Sequence, residues 1–537
     1  MKELKGNLEF SKKWYISFLI VLFFIHLSML IAFTFLGDFW TDENWYFSCS
    51  SLVAKGLLPY KDFFFHHNPL FLFVYAVPQY FWGPNFVLAR LTSVFFSIVI
   101  FVLTVRLASK FGGKFGGVFA ASILSINPYY CFKLSQIAYH PLQTTIVMLF
   151  FTFLFSKLKD SIKYPFSAFL LGLIVCIRFT TDYVSILFLA FLSFIIVKYR
   201  SQKIIAIGSF LAGIIPILVF YLLALYYAKD RFIFDTITYS LKLPNFFKSF
   251  GVFTDYDFVF PRPLIVKLRS FAVIIENFYA SFMLLFMVLF YHLKNFRLNK
   301  KFLKDFLKQN TMLIVGLIFI FSNFVFYLIP SQISAVFYTF TFPLFAVLIG
   351  IGTKDIIFRM RDKDARNVLC FMVVLILVFS IFIGGREVVV KRWENSDVRF
   401  MIKAAKRIQS ISKRDEQIFS FSPALVTLAN RNIALNLTME VWMVFPPWDT
   451  AKSKKLGIVN IEMIQDALNN QKPELLVFQR PGRLEDDGGA GRLLKNYRES
   501  LMRAIANNYS LIETIYRNSF YKADKIEIYR SNKTLMR

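Results

Sequence analysis

Long apolar runs separated by short polar segments fill the first 384 residues, and beyond them the runs shorten and change period. A helix needs roughly 20 apolar residues to cross a hydrocarbon core of about 30 Å. Runs of that length, or close to it, lie at 14–36, 86–108, 115–132, 141–156, 165–178, 182–197, 204–227, 270–292, 311–329, 334–352 and 367–384, which predicts about 11 transmembrane helices. The segments between them alternate in charge. "SKK" near the start, "RLASKFGGK", "SKLKDSIK", "KYRSQK", "HLKNFRLNKKFLKDFLKQN" and "TKDIIFRMRDKDAR" are basic, and because Lys and Arg resist translocation they are expected on the cytoplasmic side. The other set comprises residues 37–85, "YYCFKLSQIAYH" (129–140), the neighbourhood of Arg178, residues 228–269 and the few residues around Pro330. It is expected on the extracytoplasmic side, and an odd number of spans also leaves everything after residue 385 outside.

"PLFLFVYAVPQYFWG" (69–83) is apolar enough to be mistaken for a span. With about 15 residues, prolines at 69 and 78 and aromatics at its end, it suits a helix lying in the interface or re-entering from one side. Counted as a span, it would invert every later loop. Residues 37–85 therefore read as one long first external loop that hugs the membrane surface.

From residue 385 the chain is charged and alternates strand-like runs, "EQIFSFS", "PELLVFQ" and "KIEIYRS", with helix-like stretches, "NIEMIQDALNNQ" and "RLLKNYRESLMRAIANN". Residues 1–384 thus form a transmembrane domain, and 385–537 an α/β domain of about 150 residues, enough to bury its own core. The Gly-rich "DDGGAGR" (486–492) lacks the strand-to-helix setting of a phosphate loop and reads as a surface loop.

Composition agrees. The chain is 56% hydrophobic with 68 Phe among 537 residues, more apolar surface than a water-soluble fold can bury. The formal charge of +28 would suggest nucleic acid in a soluble protein, but here the basic residues sit mainly between apolar runs, where they set topology. Cys49, Cys131, Cys176 and Cys370 are far apart and have no metal-ligand spacing, so they read as packing residues. The basic N-terminal flank and the first apolar run, with no small-residue cleavage site, read as an uncleaved first helix. His26 and His292 read as packing or snorkelling residues.

The polar groups concentrate in one place. Asp42 and Glu43 follow Trp40 at the outer end of the first span, and Tyr46, "GLLPY" with Tyr60, Asp62, His66 and His67 follow in the same loop. A carboxylate at an interface is partly desolvated, which raises its basicity, so Asp42 is a candidate general base; the plainer reading is an acid that ends a helix in solvent. Lipid head-group phosphates lie at the same depth, and Arg and Lys are the natural partners of a phosphate. Arg178 and the three cations of "FPRPLIVKLR", Arg262, Lys267 and Arg269, are the external candidates, with snorkelling or lipid anchoring as their alternative. Arg90, in "NFVLARLTS", needs a carboxylate partner at this depth, either to hold the loop or to meet substrate.

The Asp-Glu pair after the first span, the aromatic three residues on, "KGLLPYKDFFFHHNPL" and "FWGPNFVLARLTSVFFS" resemble the polyprenyl-phosphate-sugar-dependent glycosyltransferases of the C-type fold, which include the protein O-mannosyltransferase and lipid A aminoarabinose transferase families. The resemblance is carried by about residues 10–200 and agrees with the plan of many spans followed by an external domain. It implies inverting transfer of a sugar from a polyprenyl-phosphate donor to an acceptor hydroxyl on a protein, lipid or glycan, outside the plasma membrane of a prokaryote. It also implies that Asp42 is the base, with Glu43 orienting acceptor or base. "HNPL" stands where the aminoarabinose transferases carry a Lys-Pro-Pro-Leu run, which puts His67 at the donor phosphate and His66 on a preceding acidic position. His140 stands where the family often has an acid, and Asp42, His66 and His140 could then supply N and O ligands to a divalent metal, although the plainer reading is three unliganded interfacial polar residues. A histidine is cationic only near or below its pKa, so His67 is a weaker anion partner than lysine unless the phosphate raises that pKa.

A transporter or lipid-linked sugar flippase would be equally hydrophobic, but it usually places polar or broken-helix features near the midplane of both halves. A receptor-like protein would explain only the external domain. Neither accounts for acids and histidines gathering between the first two spans.

Overall fold

The computed structural model describes residues 11–37, 41–177, 188, 190, 192, 202–239, 311–328, 339–359, 397–480, 494–517 and 525–536. Expectations for Arg178, Arg262, Lys267, Arg269, His292, Cys370, the spans 270–292 and 367–384, most of 182–197, the domain boundary at 385 and the loop 486–492 lie outside these residues.

The N-terminal part is helical: α1 (Lys12–Leu36), α2 (Thr41–Ala54), α3 (Leu70–Trp82), α4 (Phe86–Ile126), α5 (Pro128–Ser135), α6 (Tyr139–Leu154), α7 (Asp160–Val175), α8 (Lys203–Ile233), α9 (Thr311–Leu328) and α10 (Phe342–Arg359). Among the described residues α1, α4 and α8 with its following turn are long and apolar enough to cross a membrane, and α5 with α6, bent by 107°, would make a fourth. The α4 stretch is two helices joined at Gly113, whose φ of 67° only glycine adopts without strain. A Cβ on Gly117 would lie 2.0 Å from Ser109 Oγ, whereas residues eight apart in a straight helix rise about 12 Å, so the chain folds back here. The reversal falls in the basic "RLASKFGGK", between the predicted spans 86–108 and 115–132. The second of these ends at Ile126, earlier than expected, because Asn127 caps α5 through Tyr130 N (2.8 Å) and Pro128 takes its first position.

Helix α3 has 13 residues, about 20 Å of rise and too short to cross a bilayer. Phe71, Leu72, Tyr75 and Gln79 are buried on one face, while Val77, Tyr80, Phe81 and Trp82 are exposed. Helices α7 and α8 approach so closely that a Cβ on Gly172 would sit 2.1 Å from Gly213 O. Backbone cannot yield as a flexible side chain can. Gly172→Ala is therefore expected to cost roughly 1–3 kcal/mol, read as a lower melting temperature of the detergent-solubilised protein.

The C-terminal part is an α/β unit: α11 (Asp397–Ile411), β1 (Gln417–Phe419), α12 (Pro423–Leu428), β2 (Asn432–Ile433), α13 (Thr450–Leu456), α14 (Ile461–Asn469), β3 (Leu475–Arg480), α15 (Arg498–Asn508), β4 (Tyr509–Tyr516), β5 (Lys525–Ser531) and the short α16 (Asn532–Leu535). The sheet order is β2-β1-β3-β5-β4, with the first three strands parallel and β5 and β4 added antiparallel. Successive residues of β3 face opposite ways. Leu475 and Val477 join Phe400, Met401 and Ile408 of α11 in one core, and Leu476 and Phe478 join the core that holds Ile464, Leu468, Leu501 and Ile505 of α14 and α15. Two strand-like runs sit at β3 and β5, and "EQIFSFS" supplies the short β1; β4 in "YSLIETIY" and the two-residue β2 were not expected.

Candidate active site

The Asp42–Glu43 pair opens α2, a 14-residue helix that the loop reading did not anticipate. Carboxylates in a first turn interact favourably with the positive end of the helix dipole. The two side chains part at once. Glu43 is fully buried and forms a two-pronged ion pair with Arg90, Nε to Oε1 at 3.0 Å and Nη2 to Oε2 at 2.6 Å. Arg90 also donates to Phe33 O (2.8 Å) and Thr34 O (3.3 Å) at the end of α1, and its guanidinium lies 4.9 Å from the centre of the Phe86 ring. Arg90 thus has the carboxylate that its burial demands.

Glu43 has a second task. The α5–α6 bend at 136–138 leaves backbone groups without helical partners, and a buried polar group must find one. Glu43 Oε1 accepts from Ile137 N (2.7 Å), Ser93 donates to Gln136 O (2.7 Å), Tyr75 to Ala138 O (3.0 Å) and Ser97 to Leu134 O (2.9 Å). One carboxylate therefore ties α1, α2, α4 and the bend together.

Asp42 is half-buried, and Trp45 and Tyr46, three and four residues on, share its side of α2. The histidines pack on those rings. Trp45 stacks on His66 (4.9 Å between ring centres), His67 lies 5.9 Å from Trp45 and 6.2 Å from Tyr46, and the two imidazoles are 3.8 Å apart. The structure thus brings Trp45, Tyr46, His66 and His67 together, and Asp42 stands one helical turn before the two rings on α2.

A tight turn delivers the histidines. Leu58 N donates to Asp62 (2.8 Å) and Tyr60 N to Phe63 O (3.0 Å), with Tyr60 held at a φ of 66°. Burial, reinforced by the charge of Asp235, pushes the Tyr60 hydroxyl well above its usual range, so it stays protonated and donates to His67 O (2.7 Å). Asn68 then donates to Val175 O at the end of α7 (2.6 Å).

His140 goes elsewhere. It is fully buried in the first turn of α6, its ring 3.9 Å from that of Tyr139, and neither ring nitrogen has a hydrogen-bond partner among the described residues. Among the described residues no three His, Cys, Asp or Glu side chains converge as metal ligands, so the expected set of Asp42, His66 and His140 is not assembled. The reason is local: His66 is committed to the Trp45 face, while His140 is drawn into helix packing. His26 is a packing residue, stacked on Phe101 at 5.2 Å.

Three described residues escaped the sequence reading. Asp235, in the π turn after α8, is fully buried; one oxygen accepts from Phe65 N (3.2 Å) and the other has no hydrogen-bond partner among the described residues. Its sequence signal was an acid inside the apolar "RFIFDTITY". Lys133 of α5 is a buried cation that donates to Gln136 Oε1 (3.1 Å), and it stood unremarked in "YYCFKLSQIAYH". Asn44 is the third; its partners lie in the C-terminal unit.

No protein-family model matches the chain, and no curated protein matches it in sequence. In three dimensions it is similar to ArnT from Cupriavidus metallidurans bound to undecaprenyl phosphate, with a TM-score of 0.59 and 11% identity over 97% of this chain and 98% of that one. The apo state of the same protein gives 0.59 and 12% identity over 96% and 98%. An oligosaccharyltransferase from Archaeoglobus fulgidus gives 0.49 and 10% over 94% and 73%. At such low identity the likeness to ArnT speaks for architecture alone, and it spans both the helical part and the α/β unit: the chain shares the fold of ArnT.

Proposed function

We propose that the protein is an integral membrane glycosyltransferase that moves a sugar from a polyprenyl-phosphate donor to an acceptor hydroxyl on the extracytoplasmic side, with Asp42 as general base. The observation that carries this reading is the shared face of α2, where Asp42 precedes by one turn the Trp45 and Tyr46 rings on which His66 and His67 pack. The acceptor oxygen attacks the anomeric carbon, a new C–O bond forms and the bond to the phosphate oxygen breaks. The acceptor's proton passes to Asp42, and polyprenyl phosphate leaves with the electron pair. One displacement inverts the anomeric centre. His67 is the described group nearest in role to the expected phosphate partner, and Arg178, Arg262, Lys267 and Arg269 remain the proposed arginine and lysine partners. Glu43 and Arg90 act by position, since their charges are spent on each other.

The test is transfer itself. Full-length protein in proteoliposomes of total membrane lipid is given undecaprenyl phosphate carrying radiolabelled hexoses or aminopentoses, together with a membrane extract as acceptor source. Label is expected to leave the lipid for an acceptor. Label that merely crosses the vesicle membrane, still on its lipid, would instead support a flippase.

A further inference from the structure

Asn44 lies two residues past Asp42 and points out of the helical part altogether. It is 5% exposed, and both polar atoms of its side chain bond to the C-terminal unit. Nδ2 donates to Glu440 Oε1, while Oδ1 accepts from Ala424 N (2.7 Å) and Ser422 Oγ (3.4 Å). One turn along α2, Thr427 donates to Ser48 Oγ (3.1 Å). Apolar packing alone would hold two surfaces together. Buried, mutually satisfied polar groups fix their register as well, because any slip leaves donors and acceptors unpaired.

The segment that presents Glu440 is strained. Leu435, Asn436 and Glu440, none of them glycine, have φ of 58°, 50° and 55°. Such residues persist only where their surroundings over-determine them, and they cluster at functional sites. Two residues on, Trp442 O accepts from Tyr239 (2.7 Å), whose ring lies 5.0 Å from Phe64 and 5.2 Å from His66. Burial, with the charge of Asp235 behind it, holds the Tyr239 hydroxyl well above its usual range, so it remains a donor. Farther out, Arg231 bridges Lys61 O (2.7 Å) to Lys454 O (3.1 Å) and Lys455 O (2.9 Å). One short turn thus touches the acid helix at one end and, through Tyr239, reaches the histidine segment at the other.

We infer that the Glu440–Trp442 turn is a built-in part of the transfer site, with Asn44 and Glu440 as positioning residues that set the Asp42 helix against the His66–His67 segment. The inference rests on the reading of Asp42 as base. It makes the C-terminal unit a component of the reaction centre rather than a cover over it. A base moved by an ångström loses near-attack geometry without losing donor affinity.

Four variants of the full chain test this in the proteoliposome assay, each scored per folded molecule by thermal melting. Glu440→Ala strands the Asn44 amide, and kcat is expected to fall about a hundredfold with the donor KM unchanged. Glu440→Gln keeps an accepting oxygen and is expected near the wild-type rate. Asn44→Asp sets two carboxylates face to face and is expected to lose kcat as Glu440→Ala does. Combining Asn44→Asp with Glu440→Gln restores a donor–acceptor pair, leaves the Ala424 N–H satisfied, and is expected to recover the rate. A wild-type kcat per folded molecule in Glu440→Ala and Asn44→Asp, or no recovery in the double variant, would overturn the positioning role alone. No sugar transfer by the wild type would overturn the glycosyltransferase reading and this one with it.

Discussion

Asp42→Asn is expected to lower kcat for sugar transfer by about 10²–10⁴-fold, the usual worth of a general base, and to leave the melting temperature almost unchanged. Asn and Asp have the same shape and both suit a helix N-terminus. What the substitution removes there is a favourable interaction with the helix dipole, about 0.3–1 kcal/mol. Asp42 is half-buried, so the amide takes its place without a cavity. The loss should fall on the chemical step, visible in single turnovers at saturating donor. Equal single-turnover rates in the two proteins would remove Asp42 from the mechanism.

The chain made some of this legible before any coordinates. A short apolar segment ending in aromatics marked α3, and a basic interruption marked the reversal at Gly113, because span length and charge are properties of a local window. Arg90 announced a carboxylate partner, since an arginine at that depth cannot stand alone, but nothing local said that the partner was the second acid of the pair. The adjacent letters "DE" conceal the difference between Asp42 and Glu43: neighbours on a helix differ by about 100° in direction, and only the fold decides which one meets Arg90. Asn44 and Glu440 are 396 residues apart, and no periodicity or spacing links them. The possible metal set is not assembled among the described residues for a related reason. Asp42, His66 and His140 could be grouped only because each stood at the same membrane surface, a constraint in one dimension that leaves side-chain direction open.

Glu43→Gln should give the opposite signature to Asp42→Asn, a loss of roughly 3–5 kcal/mol in stability with little change in kcat for the molecules that remain folded. The physical cause is an arginine left charged where no water reaches: Arg90 and Glu43 both have 0% side-chain exposure, and a glutamine amide, though it still offers an accepting oxygen, removes the counter-charge of the guanidinium. The readouts are the melting temperature and the folded yield in detergent, set beside single-turnover rates. Replacing the whole pair, Glu43→Leu with Arg90→Met, should recover most of the loss, because a buried ion pair exchanged for packed apolar groups is often close to neutral. Recovery should stop short of complete. Ile137 N would still be without the Glu43 oxygen that caps the bend, and a stranded buried N–H costs about 1–3 kcal/mol. A double variant fully as stable as the wild type would mean that the bend does not depend on Glu43. A single Glu43→Gln that melts normally but turns over slowly would make Glu43, and not only Asp42, part of the chemistry.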